Sequence, residues 1–373
     1  MRVLILSCNT GEGHNACGKA LVESFQQKDV VCRMSDAFSF ISPNISRLIS
    51  SGFTLLYRHF PGMFRNGYQY TENHPAIFEG NSKVYQLLTS GAERLYDFIL
   101  QENFDTVICT HVFSALMITE VIRRHNRFLR TYFVATDYTC SPSCGQSDLD
   151  IYFTPDISLA GEFSRCGLRD KKLIPSGIPI RKEFYHFMDK PDAKSRFGIK
   201  PDTPHLLIMC GSMGCGPIKK IVRTIMKSMC KNYHMTVICG TNRKLYNQLS
   251  RICTGKSGIK ILGFTKDVAA LMDSADLFLT KPGGISVTEA AQKRLPMVFV
   301  DAVAGCETYN MRYFTAKGVA LAADTPKMLA CLSCALLSRP ELLTDMAENY
   351  QHISENKAVQ VITEYVMHSY ATQ

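Results

Sequence analysis

Short apolar runs alternate along the chain with segments in which apolar residues recur every three or four positions. The runs are continuous, as expected of parallel strands that helices cover on both faces. Helical spacing between them, such as that of Val222, Ile225 and Met226, predicts a doubly wound α/β protein. The predicted strands are 3–7, 106–110, 131–135, 151–154, 206–210, 236–239, 277–280 and 297–300.

The pattern of strand, glycine-rich turn and helix starts twice, over 3–25 and again over 206–230. A charged, irregular stretch near 180–200 separates the two halves and is predicted to be a linker. Only helical patterns remain after about residue 325. We therefore expect an N-terminal α/β domain over 1–185, a C-terminal α/β domain over 186–345 and a C-terminal helix over 346–373.

Residues 41–65 interrupt this alternation. Aromatic side chains such as Phe53, Tyr57 and Phe60 share the segment with the basic Arg47 and Arg58. Basic, amphipathic segments of this kind bind at membrane interfaces. A helix that packs on the first domain would show the same pattern, so both interpretations stay open.

Composition excludes several classes of protein. With 46% hydrophobic and 20% charged residues among 373, the chain is neither disordered nor collagenous. No apolar run approaches the roughly 20 residues that cross a bilayer. The net charge of +9 favours an anionic partner: a phosphorylated ligand, an acidic membrane surface or nucleic acid. No nucleic-acid-binding motif accompanies the charge, so we expect no nucleic acid partner.

The fifteen cysteines are odd in number and scattered, some of them within predicted strands. This distribution predicts reduced thiols in a cytoplasmic protein. The first apolar run is also too short for a secretory signal. Neither Cys331-x-x-Cys334 nor the Asp148-Leu149-Asp150 triplet has further ligands nearby in sequence, and we expect no metal site.

The turn Gly11-Glu12-Gly13-His14 follows the first strand and opens a helix. Backbone N–H groups at such a turn favour an anion, and this edge of an α/β sheet is where ligands bind. Imidazole titrates near neutrality, which makes His14 a candidate general base. Asp137, after strand 131–135, is a candidate to orient His14 or an acceptor hydroxyl. Capping and structural roles are the alternatives for both.

The stretch 281–289, KPGGISVTE, is the most informative part of the sequence. It joins a predicted strand to a predicted helix, and Gly283, Gly284 and Ser286 predict a phosphate site at the helix N-terminus. Glu289 has two interpretations. It either completes a capping box with Ser286 or accepts hydrogen bonds from two ribose hydroxyls.

Two further polar turns follow predicted strands. Gly211, Ser212 and Gly214 form a flexible turn after strand 206–210, which is weak evidence by itself. Glu307 and Asn310 follow strand 297–300. They are candidates to bind sugar hydroxyls, with loop and capping roles as the alternative.

Taken in order, these motifs resemble the monogalactosyldiacylglycerol synthases and processive diacylglycerol glucosyltransferases, a group related to the bacterial peptidoglycan GlcNAc-transferase. The resemblance covers nearly the whole chain. Its most specific part is the run 280–289, followed by Leu295-Pro296 and by Gly305-x-Glu307-x-x-Asn310. The supporting motifs are 11–14, 36–43, 136–138, 177–179 and 263–264.

The resemblance implies a GT-B fold, with two Rossmann-like domains facing a cleft and C-terminal helices that cross back to the N-terminal domain. It implies a UDP-sugar in the C-terminal domain, with Phe264 at the uracil and Glu289 at the ribose. His14 would be the base or a positioning group, with Asp137 beside it. The remaining residues of the predicted donor site are Gly283, Gly284 and Ser286 at the diphosphate, Glu307 and Asn310 near the sugar, and Gly13, Gly211, Ser212, Gly214 and Lys281.

Three positions depart from the family pattern. Ser141 and Cys144 stand where the glycolipid synthases usually carry His and Trp, and the chain contains no Trp. Cys306 replaces the usual Gln before Glu307. The first two positions lie in a loop expected to face the acceptor, together with Arg47, Phe53, Tyr57, Arg58 and Phe60 of the segment described above.

The sequence thus predicts an inverting, metal-independent hexosyltransferase without a cofactor. Its donor would be UDP-glucose or UDP-galactose, and its acceptor diacylglycerol or a related lipid. The protein would be cytoplasmic and peripheral on the anionic inner face of the cell membrane, in an oligomeric state that the sequence leaves open. The alternatives are another lipid or a soluble acceptor, and a non-catalytic UDP-sugar sensor.

Overall fold

The computed structural model forms two compact units. The first comprises Met1–Arg181, Val303–Cys306 and Asn356–Gln373, and the second Lys182–Ala302 and Glu307–Glu355. The predicted segment 346–373 is thus divided between the two units. The structure describes residues 1–42, 44, 46–48, 52, 60–125, 129–169, 171–228, 233–300, 305–353 and 357–371.

The first unit contains a six-stranded parallel sheet with helices packed on it. Its elements before residue 182 are β1 (Arg2–Ser7), α1 (Glu12–Gln26), β2 (Val31–Asp36), α2 (Ala37–Ile41), α3 (Pro61–Asn73), α4 (Lys83–Thr89), α5 (Ala92–Gln101), β3 (Thr106–Cys109), α6 (Val112–His125), β4 (Arg130–Val134), β5 (Ile151–Thr154), α7 (Ala160–Phe163) and β6 (Lys172–Pro175). The strand order is β2-β1-β3-β4-β5-β6.

The second unit contains another six-stranded parallel sheet, in the order β12-β11-β10-β7-β8-β9. The elements from residue 182 onward are α8 (Lys190–Arg196), β7 (His205–Met209), α9 (Ile218–Ser228), β8 (His234–Ile238), α10 (Arg243–Ile252), β9 (Ile259–Leu262), α11 (Val268–Ser274), β10 (Leu277–Thr280), α12 (Gly284–Gln292), β11 (Met297–Phe299), α13 (Cys306–Ala316), β12 (Ala320–Ala322), α14 (Pro326–Leu337), α15 (Pro340–Glu348) and α16 (Ala358–Ala371).

The final helix, α16, belongs to the first unit and packs against α1 and the adjoining sheet. Ile362 is fully buried, and the Thr363 hydroxyl lies 2.9 Å from that of Ser24 on α1. The hydroxyl of Ser369 lies 2.7 Å from that of Tyr132 on β4. The predicted return of the chain to the N-terminal domain is confirmed.

All eight predicted strands are present, with ends that differ by at most two residues. Four further strands, β2, β6, β9 and β12, were not predicted from the sequence, and they form the edges of the two sheets. The predicted linker was wrong in part, because α8 lies within it and packs on α11. Lys194 of α8 is buried, and its ammonium donates to the carbonyl oxygens of Pro201 and Thr203 at 3.1 and 2.9 Å.

Within the described ranges, no helix has both the length and the apolar character needed to cross a bilayer. The cysteines that the structure describes form no disulfide bonds, in agreement with the reduced thiols expected from the sequence. Cys144, which lies in the loop expected to face the acceptor, is instead buried in the core of the first unit together with Cys140. The loop folds inward at this point because small, weakly polar thiols pack as apolar groups.

Two glycine-rich turns interlock at the carboxyl edge of the second sheet. Gly240 has a φ of +56°, and a Cβ atom there would lie only 2.0 Å from the carbonyl oxygen of Ser212. A Cβ at Gly214 would lie 2.2 Å from the carbonyl oxygen of Cys239. The Thr241 N–H donates to the Ser212 carbonyl at 2.9 Å. The close approach of the two backbones therefore requires glycine at both positions.

This interlock predicts unequal effects of two alanine substitutions. Gly198→Ala replaces a glycine at φ +72° with open space around it, and should lower the free energy of unfolding by about 1–2 kcal/mol. Gly240→Ala adds a clash with the Ser212 carbonyl, so its free energy of unfolding should be about 1–3 kcal/mol lower than that of Gly198→Ala. Chemical denaturation of both variants measures the difference. Equal losses would contradict the interlock.

Candidate functional site

The carboxyl ends of β1, β3 and β4 meet around His14, in the first turn of α1. The Nδ1 atom of His14 lies 2.9 Å from the Thr110 carbonyl oxygen and 2.8 Å from the Thr136 hydroxyl. A carbonyl only accepts hydrogen bonds, so this contact assigns the proton of the neutral ring to Nδ1. Nε2 then carries the lone pair and is the atom that can accept a proton.

The ring of His14 is only partly exposed, and loss of hydration lowers its pKa to about 4. The bond to Thr110 opposes this shift without cancelling it. The ring of His111 lies edge-on at a centroid distance of 4.5 Å. Burial lowers its pKa as well, and proximity to His14 adds to that effect. His14 is therefore neutral near pH 7 and available as a hydrogen-bond acceptor.

Thr136 and His111 are contacts of His14 that the sequence analysis missed. Each directly follows a predicted strand, so the strand ends were the available signal in the sequence. His111 is itself held in place, because the Phe113 N–H donates to its Nδ1 atom at 3.1 Å. Asp137, the residue predicted beside His14, follows Thr136 in the chain, and its orienting role stays a prediction.

In the second unit, the turn 281–283 leads into α12. Gly283 is the N-cap residue, and no side chain caps this described helix end. The amide groups of the first turn are thus available to an anion. Ser286 lies two residues after Gly284 inside the helix, so the capping box was wrong. Glu289 lies one turn further on and is buried.

A buried ion pair joins the turn 281–283 to α13. The Lys281 ammonium lies 2.9 Å from a carboxylate oxygen of Glu307, and both side chains are 9% exposed. Asn310, fully buried on α13, donates to the Pro282 carbonyl at 2.9 Å. Gly211 lies beside the Lys281 side chain. Glu307 and Asn310, predicted near the sugar, thus also fix the position of the turn that begins α12.

Phe264 lies after β9 with 70% of its surface exposed, an unusual environment for a large aromatic ring. It borders a pocket beside the interlocked turns, where Ser212 contacts Thr241. An exposed ring next to glycine-rich backbone provides a flat surface for a planar base. The pocket is lined by Gly240, Thr241, Arg243, Tyr246, Ile261, Leu262, Gly263 and Phe264.

Comparison with protein families gives matches in both units. Residues 14–180 match the monogalactosyldiacylglycerol (MGDG) synthase model, and residues 205–363 match the glycosyltransferase family 28 C-terminal domain. The chain belongs to the MGDG synthase family of glycosyltransferases. The family predicted from the sequence motifs is confirmed.

Relatives of this glycosyltransferase match over nearly its full length. A processive diacylglycerol beta-glucosyltransferase of Staphylococcus saprophyticus is 26% identical over 93% of this chain and 88% of the relative. The enzyme of the same name from Bacillus subtilis is 25% identical over 98% of this chain and 94% of the relative. The family match thus spans both units.

Solved structures confirm the GT-B fold. MurG of Acinetobacter baumannii superimposes with a TM-score of 0.65 at 15% identity, covering 98% of this chain and 99% of MurG. A UDP complex of S. aureus MnaA gives 0.65 at 14% identity, covering 100% of this chain and 97% of MnaA. The rhamnosyltransferase SpnG with thymidine diphosphate gives 0.63 at 11% identity, over 98% of this chain and 100% of SpnG.

The positions at which this family member departs from its relatives lie in the first unit. Ser141 is partly buried, with its hydroxyl 3.5 Å from that of Ser143, and Cys144 is fully buried.

Of the predicted acceptor and membrane residues, Arg47 and Phe60 are exposed. Phe53, Tyr57 and Arg58 lie outside the described residues. Gly13 lies in the first turn of α1, directly before His14.

The two carboxylates of the Asp148-Leu149-Asp150 triplet have separate partners. Asp150 accepts hydrogen bonds from the backbone N–H and the hydroxyl of Thr131 at 2.7 and 2.8 Å. Asp148 forms an ion pair with Lys171. Over the described ranges, no three His, Cys, Asp or Glu side chains are grouped as metal ligands. The triplet thus has a structural role in joining β4, β5 and the turn before β6.

The buried pair predicts a large loss of stability when it is broken. Glu307→Ala should lower the free energy of unfolding by about 3–5 kcal/mol, because the buried Lys281 ammonium loses the carboxylate of Glu307. The double variant Lys281→Met, Glu307→Leu should recover most of the loss. The control is Arg196→Gln, which breaks an exposed pair with Asp267 and should cost about 1 kcal/mol or less. Equal losses in urea denaturation would contradict the assignment.

Proposed function

We propose that this glycosyltransferase moves a glucose or galactose residue from its UDP-sugar to diacylglycerol or a related lipid. The reaction would invert the anomeric centre and use neither a metal ion nor a cofactor. The observation that carries the proposal is the His14 ring, held neutral with Nε2 as its acceptor atom. The names of the relatives support the acceptor, and the UDP complex of a structural neighbour supports the donor.

The donor would bind to the second unit. Phe264 provides a surface for the uracil, and Glu289, one turn into α12, would accept hydrogen bonds from the ribose. The diphosphate would lie at the first amides of α12, beside Gly283 and Gly284. The N-terminal end of a helix carries partial positive charge, which stabilises the UDP anion as it leaves.

The acceptor hydroxyl would attack the anomeric carbon from the face opposite the diphosphate. The new C–O bond forms as the bond to the diphosphate oxygen breaks, and UDP takes the electron pair. The proton of the hydroxyl passes to Nε2 of His14. Thr110 and Thr136 fix the orientation of the ring during this transfer, because both contact Nδ1. Because its pKa is low, the His14 ring is unprotonated at neutral pH but is a weak base. The acceptor hydroxyl becomes more acidic as its oxygen bonds to carbon, so proton transfer to Nε2 is favoured late in the reaction.

The lipid acceptor requires access to a bilayer. Leu48, Phe60, Met63 and Tyr70 are exposed in and after the segment 41–65, and such side chains insert into the interface between water and acyl chains. We propose that this part of the first unit contacts the cytoplasmic face of the cell membrane. Cys144 lies in the core and does not bear on the acceptor, but the partly buried Ser141 replaces the bulkier His of the glycolipid synthases, so another lipid is the second candidate acceptor.

An activity screen tests the proposal. Purified protein is incubated with UDP-glucose, UDP-galactose or UDP-GlcNAc and with vesicles that contain diacylglycerol or extracted lipids, and products are identified by mass spectrometry. We expect a hexosyl lipid from one of the first two donors, also in the presence of a chelator. Transfer only to soluble acceptors would show that the acceptor is a soluble compound and not a lipid. UDP binding without any transfer would overturn the proposed activity.

Substitution of His14 should separate catalysis from donor binding. His14→Gln should lower turnover by about 10²–10⁴-fold, the usual contribution of general-base catalysis, with little change in UDP affinity. His125→Gln, which changes a histidine that stacks on Tyr96 at the surface, is the matched control and should retain activity. A loss of only twofold in His14→Gln would assign the residue a structural role.

The pH dependence of turnover follows from the lowered pKa of His14. The neutral ring is the active form, and it becomes protonated only as the pH approaches about 4. Turnover should therefore show no loss attributable to His14 between pH 8 and about 5. An acidic limb centred at the ordinary histidine pKa of about 6.5, absent from the His14→Gln variant, would contradict this assignment.

A further inference from the structure

The positive charge of the chain is concentrated in one segment of the second unit. Residues 203–266 contain eleven Lys and Arg residues and no Asp or Glu. The rest of the chain has two more acidic than basic residues, so this segment accounts for the whole net charge of +9. Charges of mixed sign are the usual composition of a soluble surface, and a segment of this length without a carboxylate is unusual.

The structure places much of this charge on the outer side of two neighbouring helices. Lys220, Arg223 and Lys227 are exposed along α9, at a spacing that puts them on one side of the helix. The opposite side of α9 is buried in the core of the second unit, where α9 packs against α14, through Ile218, Ile221, Val222 and Ile225. These three basic residues cover about 10 Å of the helix, from its first turn to its end.

The second helix, α10, packs beside α9, where the Cys253 sulfur that follows α10 lies 3.9 Å from that of Met226. Lys244 and Arg251 are exposed on α10, and Lys256 is exposed in the turn that follows. We name this surface the basic face; it consists of Lys220, Arg223, Lys227, Lys244, Arg251 and Lys256. Within the described residues, none of these six side chains takes part in an ion pair.

The basic face is distinct from the candidate donor site. None of the six lines the pocket beside Phe264, and Arg223, Lys227, Arg251 and Lys256 lie beyond the first turns of their helices. Six unpaired cations on adjacent helices raise the local potential and attract an extended anionic surface.

We propose that the basic face binds the headgroups of an anionic bilayer, as a membrane contact of the second unit that is separate from segment 41–65. The inference rests on the proposed function, which brings the enzyme to a lipid surface. Bilayer headgroups match an array that is spread over two helices and lacks a sequence motif for nucleic acid. The contact would depend on anionic lipid content and weaken with salt, because exposed charges are screened.

Vesicle co-sedimentation with matched variants tests the inference. Lys220→Gln, Arg223→Gln, Lys227→Gln removes three charges from the basic face. The control Lys28→Gln, Lys83→Gln, Lys200→Gln removes three exposed charges elsewhere. At about fivefold per basic residue, the first variant should bind phosphatidylcholine–phosphatidylglycerol vesicles about a hundredfold more weakly than wild type. The control should stay much closer to wild type, and thermal melting should show that both variants are folded.

Equal binding by the two variants, or equal binding of wild type to vesicles without phosphatidylglycerol, would overturn the inference. Tighter binding to a duplex oligonucleotide than to vesicles of equal negative charge would assign the face to nucleic acid instead. Turnover of a water-dispersed, short-chain diacylglycerol measures sugar transfer without any need for membrane binding. It therefore tests the proposed function independently of the basic face. The basic-face variant should retain that activity and lose activity on anionic vesicles, whereas inactivity of every variant on every acceptor would refute the function alone.

Discussion

Parallel pairing of strands is the constraint on which both candidate sites depend. It places the carboxyl end of every strand at one edge of its sheet, so turns far apart in sequence become neighbours. In the first unit this brings Thr110 and Thr136 to the ring of His14. In the second it brings the turn after β7 to the side chain of Lys281, after β10. Helices α1 and α12 begin at the same two edges and present backbone N–H groups there.

The strands that the sequence predicted are the interior ones, and the strands that it missed are the edges. Interior strands such as β1 are buried on both faces and read as continuous apolar runs. The edge strand β2 has the sequence VCRMSD, with Val31 and Arg33 exposed. Polar residues are tolerated there because one side has no neighbouring strand. A continuous apolar run therefore indicates that a strand is buried on both faces, and strands that are partly exposed lack it.

The candidate site could be predicted in its residues but less well in its contacts. Ordered motifs pointed to His14 and to the turn before α12, because glycine and a titratable group at a strand end are visible in sequence. The partners of these groups were not. Thr136 reaches His14 across 122 positions of chain, and Glu307 pairs with Lys281 only because α13 returns to the edge of the sheet. Such contacts depend on the order of the strands, which no local pattern encodes.

The position of α16 has a consequence for biosynthesis. This helix covers α1 and part of the first sheet, yet it is the last described helix of the chain. A ribosome releases α1 before α16, and the entire second unit is made between them. The apolar surface that Ile362 and Val366 cover thus stays exposed to water throughout that interval. The core of the nascent first unit is therefore incomplete until α16 has been made, and exposed apolar surface of this kind favours aggregation and chaperone binding.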